Sequence, residues 1–175
     1  MKWKEVLIAF LGMMFLWGNA QATPTDITVR IKTKDAKFLG SSMGGALITI
    51  KDVDTGELLA KGVTSGGTGN TKVIMKTPVS RGSAISDEKS AKFTATIDIE
   101  EPTFIQVTAL GPLCQRQATT SVSATQWVVP GKHITGGDAW MMELPGLVVD
   151  VLSPPTHIKY KGTKDVLISA NVSMM

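Results

Sequence analysis

Four side chains have the types that soft metals favour. Cys114, His133, Met141 and Met142 follow one another in an order reminiscent of a copper site. Thiolate, thioether and imidazole ligands suit copper because both metal and sulfur are polarisable. The spacing argues against a blue-copper centre. Such a site also needs a histidine upstream of the cysteine, and none precedes Cys114. Its remaining ligands sit in one short loop, whereas Cys114 and His133 are 19 residues apart. A looser Cu(I) site built on His133 with Met141 or Met142 stays open as an alternative. The competing expectation is that the two methionines lie on a strand, one packed in the core and its neighbour turned outward.

Other constellations are weaker. His133 and His157 are the only histidines. Either would serve a small hydrolase if an acid and a nucleophile stood beside it, but no Gly-x-Ser-x-Gly elbow supplies the positional cue. No enzyme is expected. Asp52-Val53-Asp54-Thr55-Gly56-Glu57 has the outline of a calcium loop without the distant glutamate that closes one. An aspartate capping its own turn explains it better. Cys114 is the single cysteine, so no intramolecular disulfide forms. Buried and inert is its favoured reading, ahead of pairing with another chain or reactivity.

The segment Gln126 to His133 combines a tryptophan, a Pro130-Gly131 turn, a lysine and a histidine. Trp127, Lys132 and His133 are therefore candidate partner-binding residues. With Trp140 and Tyr160 they would form an aromatic platform for a glycan or protein partner. The alternative is that Trp127 and Trp140 are core anchors.

Stepping outward, the elements that must hold these residues read as strands. Ile27 to Lys32, Ala46 to Val53, Leu58 to Thr64, Lys72 to Lys76, Ala91 to Ile99, Thr103 to Leu110, Ala118 to Val129, Trp140 to Leu144, Leu147 to Leu152 and Val166 to Met174 are strand-like, several with clear period-two alternation. Asp54-Thr55-Gly56, Glu100-Glu101-Pro102 and Pro130-Gly131 mark turns. Ser65 to Asn70 and Thr77 to Ser90 read as loops, the second long and mobile. The basic stretch Arg30 to Lys34 reads as a solvated strand face. No segment shows a helical period. The expected fold is all-β: an antiparallel β-sandwich of immunoglobulin-like or transthyretin-like type, one domain over residues 23–175. Either terminal strand, Ile27 to Lys32 or Val166 to Met174, has the regularity to add to a neighbour's sheet edge.

Residues 1–22 have the form of a secretory signal peptide. Lys2 and Lys4 precede an apolar run from Val6 to Trp17, and Ala20-Gln21-Ala22 is a small-x-small cleavage site. The run is shorter than the roughly 20 residues of a membrane-spanning helix. The expected destination is the periplasm or the exterior, with no permanent membrane span. The chain carries a net charge of +3 and no dense Lys/Arg cluster with interleaved aromatics, which argues against nucleic acid. Composition leaves the oligomeric state open.

The stretch Gly45-Ala46-Leu47-Ile48-Thr49-Ile50-Lys51-Asp52-Val53-Asp54-Thr55-Gly56, with its return through Thr64, resembles the opening hairpin of transthyretin-like and carboxypeptidase-regulatory-like domains. Phe93 to Leu110 is similar to their later paired strands. The likeness covers about half of residues 23–175 and implies a fold with a binding or accessory role. One enzymatic branch of that superfamily opens a urate-derived lactam with paired histidines, an arginine and a C-terminal Tyr-Arg-Gly-Ser. No such motif occurs from Ile168 to Met175. The resemblance therefore carries over no catalytic residue, and no cofactor is expected unless the copper alternative holds.

Overall fold

The structure is a computed structural model that describes residues 21–162 and 165–175. The expected signal peptide falls almost wholly outside the described residues. Among those described, no helix is long and apolar enough to cross a membrane.

The described chain is all-β apart from one short helix and two 3-10 turns. Its strands are β1 (Thr23–Thr33), β2 (Leu47–Asp52), β3 (Leu58–Val63), β4 (Phe93–Ile99), β5 (Thr103–Gly111), β6 (Thr120–Val128), β7 (Trp140–Leu144), β8 (Leu147–Ser153) and β9 (Ser169–Met174). They form a three-stranded sheet β4-β1-β7, a four-stranded sheet β3-β2-β5-β6 and a two-stranded ribbon β8-β9. All pairings between the described strands are antiparallel except one, and two isolated bridges, Ile27 with Ile134 and Gly67 with Ser90, are parallel as well. The first half of β1 pairs antiparallel with β4, and its second half pairs parallel with β7. The purely antiparallel expectation is corrected there: β1 and β7 run the same way, so no tight turn can join them.

Alternation places the core. Ile27, Val29 and Ile31 of β1, Ile97 and Ile99 of β4, and Trp140, Met142 and Leu144 of β7 are buried. They belong to one hydrophobic cluster with Ile48 and Ile50 of β2, Ile105, Val107 and Ala109 of β5, and Val128 of β6. Strands β1, β2, β4, β5 and β7 each give one face to this cluster, as a period of two requires.

Two segments depart from expectation. Residues Lys72 to Lys76, read as a strand, lie in the helix α1 (Thr71–Lys76). The Asn70 side chain accepts from the Lys72 and Val73 amides and so starts the helix. The last strand also begins later, at Ser169 instead of Val166.

The long loop from Thr77 to Ser90 is tied down by polar side chains. Arg30 is 6% exposed, which corrects its reading as part of a solvated face. Its Nη1 donates to the carbonyls of Ser90 at 2.6 Å and Ala91 at 3.3 Å, and the guanidinium lies over the Phe38 ring. Burial draws this guanidinium below its ordinary value, while the charges of Asp138 and Asp87 oppose that shift. Asp138 accepts from the Ile85 and Ser86 amides, so a second pin holds the same loop.

Candidate binding surface

The outer face of the four-stranded sheet follows from its register. Phe104 of β5 stands opposite Trp127 of β6. Their ring centroids are 5.2 Å apart and the planes are tilted by 34°. The next rows are polar. Lys51, Gln106 and Thr125 align across β2, β5 and β6, followed by Lys61, Thr49, Thr108 and Ser123 across all four strands. Their sequence neighbours Ile48, Ile50, Ile105 and Val107 are buried, so these side chains take the opposite, solvent-facing side. Trp127 is 61% exposed there. It is thus not a core anchor, while Trp140, at 8%, is. That burial removes Trp140 from the expected aromatic platform. Tyr160 is exposed on the segment between β8 and β9.

The loop after β6 is stitched to β1 instead. Gly131 donates to the Thr25 hydroxyl, and Ile134 donates to the Asp26 carbonyl. His133 Nδ1 accepts from the Asp26 amide at 3.0 Å and lies 3.6 Å from the Asp26 carboxylate. Nδ1 is an acceptor in this geometry, so the neutral ring carries its proton on Nε2. Lys132 is exposed on the same loop. The structure therefore splits the sequence-predicted trio. Trp127 faces out from the four-stranded sheet, while Lys132 and His133 belong to a loop held by β1.

The copper candidates are engaged separately. Cys114 is exposed, which corrects its buried reading, and its amide donates to the Met43 carbonyl. Met141 and Met142 leave β7 on opposite sides, Met142 into the core and Met141 into solvent, registered against Ile31 and Arg30 of β1. Among the described residues, no group of three or more His, Cys, Asp or Glu side chains comes together in a metal-holding cluster.

Asp52 Oδ1 accepts from the Asp54 and Thr55 amides at 2.7 and 2.8 Å, which is the turn-capping arrangement expected of it. These bonds, that from Thr55 foremost, hold its carboxyl below the usual carboxylate value. A depressed folded-state value stabilises the protein above the unfolded value of about 3.9 and ceases to do so as pH falls through the folded one. In an NMR titration, Asp52 is expected to remain ionised below pH ~3.9, and Asp52→Asn to flatten the acid limb of the stability curve. A titration at the ordinary aspartate value would refute the cap.

No family model matches this chain, and neither the curated proteins nor the solved structures provide a match.

Proposed function

We propose that this chain is an exported, non-catalytic β-sandwich, immunoglobulin-like or transthyretin-like in type, that works by binding a partner in the envelope or outside the cell. The two layers are the three-stranded and four-stranded sheets, whose apolar faces contribute to one cluster. The observation that carries the binding role is Trp127, a large aromatic left in solvent on a sheet face and braced by Phe104. An exposed indole costs apolar hydration that a buried one avoids, and such residues concentrate binding energy at interfaces.

The neighbourhood of Trp127 favours a saccharide chain. The indole offers a flat apolar surface, and the adjacent rows offer an amide, hydroxyls and ammonium groups from Gln106, Thr125, Thr49, Thr108, Ser123, Lys51 and Lys61. A sugar ring has the complementary makeup, with a C–H face and a rim of hydroxyls.

Affinity electrophoresis against a panel of soluble polysaccharides tests this. Retardation by at least one polysaccharide is expected. Trp127→Ala is expected to weaken it about tenfold or more, with the melting midpoint held because the ring is largely exposed. Retardation by none would remove the saccharide and leave a protein partner. Unchanged retardation in Trp127→Ala would remove this face.

A further inference from the structure

The ribbon carries a second surface, independent of the one around Trp127. Leu147, Val149 and Val151 of β8 stand opposite Met174, Val172 and Ala170 of β9. Alternation puts these six side chains on one face. Val148, Asp150, Asn171 and Ser173 take the other, where Val148 is buried against the main cluster. The six-residue face holds no charge and no side-chain hydrogen-bonding group, yet it is open to solvent: Met174 is 61% exposed, Leu147 and Val172 each 57%. A lone two-stranded ribbon is marginal in water, and stability comes from covering its apolar face.

Three observations indicate what covers it. The first is the edge. The Val151 amide donates to the side chain of Gln117, whose amide returns a bond to the Val151 carbonyl. That edge of β8 is already occupied, so a partner strand adding there is opposed while the face stays free. The second is the area. The six side chains leave on the order of 500 Å² in solvent, and Ile168, next in alternation beyond β9, extends the patch toward the ~800 Å² that each partner gives to a standard interface. The third is the foot of the ribbon. A depression of about 390 Å³ lies between Lys34, Asp35, Pro145, Gly146, Leu147 and Met174. It continues the apolar face and ends it in a hollow, while Ile168 (68% exposed) stands at the opposite end. A hollow at one end and an exposed apolar side chain at the other are complementary features of one molecule, the condition for a self-matching two-fold contact.

We infer that the occupant is a second copy of this chain. The two ribbons pack face to face and run oppositely, so that Ile168 of each copy lies over the hollow at the foot of the other. Strands of seven and six residues fall short of the 9–11 that cross a bilayer, which favours the second copy over insertion into lipid.

Sedimentation equilibrium of the full chain, from low micromolar concentration upward, tests this. A monomer–dimer equilibrium is expected. The two-fold arrangement brings Val149 of one copy close to Val149 of the other. Val149→Asp and Val149→Lys are therefore each expected to weaken dimerisation about a hundredfold, since like charges then face across the contact. An equimolar mixture of the two variants is expected to recover association. Val149 is 44% exposed, so both variants are expected to keep the parent circular-dichroism spectrum and their binding at the Trp127 face, which separates a lost contact from a lost fold, while the melting midpoint falls only to that of the monomer. A monomer at every concentration overturns the inference. So does a dimer indifferent to both variants, and so does a monomer that floats with anionic vesicles of phosphatidylglycerol and phosphatidylcholine.

Discussion

Replacing Gly45 with alanine is expected to destabilise this protein severely, through backbone strain and collision together. Gly45 has φ +68°, a left-handed conformation that penalises a Cβ by roughly 1–2 kcal/mol on its own. At this position the Cβ would also collide with the Thr64 carbonyl and crowd the Thr64 hydroxyl. Neither neighbour is free to retreat. Thr64 is buried, its hydroxyl accepts from the Ala46 amide and donates to the Leu39 carbonyl, and the Gly45 carbonyl itself accepts from Leu113. The strain thus spreads into the start of β2 and into the loop around Cys114. Gly56 supplies the control. Its φ is +75°, and a Cβ there would meet nothing within 4 Å. Urea unfolding is expected to show Gly56→Ala losing about 1–2 kcal/mol and Gly45→Ala losing at least about 4 kcal/mol, or failing to fold. Equal losses at the two positions would mean that the collision is relieved by movement, and that only backbone conformation matters.

Arg30→Met should release the loop from Thr77 to Ser90. Methionine keeps an apolar stem able to pack on Phe38 but presents no donor to the Ser90 and Ala91 carbonyls. Bonds from a charged donor contribute roughly 1.5–3 kcal/mol each, offset by the cost of holding a guanidinium out of water. Arg30 Nε has no hydrogen-bond partner among the described residues, so that offset is real here. A net loss of about 2–3 kcal/mol is expected, read as a lowered urea midpoint. Hydrogen exchange gives the local signature: the Ile85 and Ser86 amides, bonded to Asp138, should lose protection ahead of the β-sheet core. Retained protection would show that Asp138 holds the loop alone. Arg30→Lys is a sterner version of the same test, because an ammonium keeps the charge but lacks the planar face that lies over the Phe38 ring while Nη1 donates to both carbonyls.

The strand positions were legible because most strands bury one face. In β4, Phe93, Ala95, Ile97 and Ile99 alternate with polar residues, and the strand lies where the pattern puts it. The hairpin of β2 and β3 was legible for the same reason, with Asp52 and Gly56 marking its turn. The helix α1 was hidden because six residues are too few to display a period, and its cap, Asn70, follows a glycine-rich run that reads as loop. Arg30 was hidden because alternation assumes one wet face, whereas the loop from Thr77 to Ser90 covers the outer side of β1 at that point. Only contact between segments distant in sequence could reveal that. At the candidate surface, the sequence offered Trp127 both as a partner-binding candidate and as a core anchor, and its exposure excludes the anchor. Its true companions, Phe104 and the Gln106 and Thr125 row, come from strand register, which sequence spacing within one loop does not report.

The divided pairing of β1 has a kinetic consequence. Its first half can zip to β4 as soon as residue 99 exists, but its second half waits for β7, and the Lys32–Glu143 ion pair joins residues 111 positions apart. Closing so long a loop is entropically slow, and contacts of this range dominate the folding time of β proteins. A chain emerging from its N-terminus would therefore present the Arg30–Thr33 edge of β1 unpaired until almost the whole body has appeared. That interval is when a neighbouring unfinished chain has its best opportunity to pair with the wrong strand.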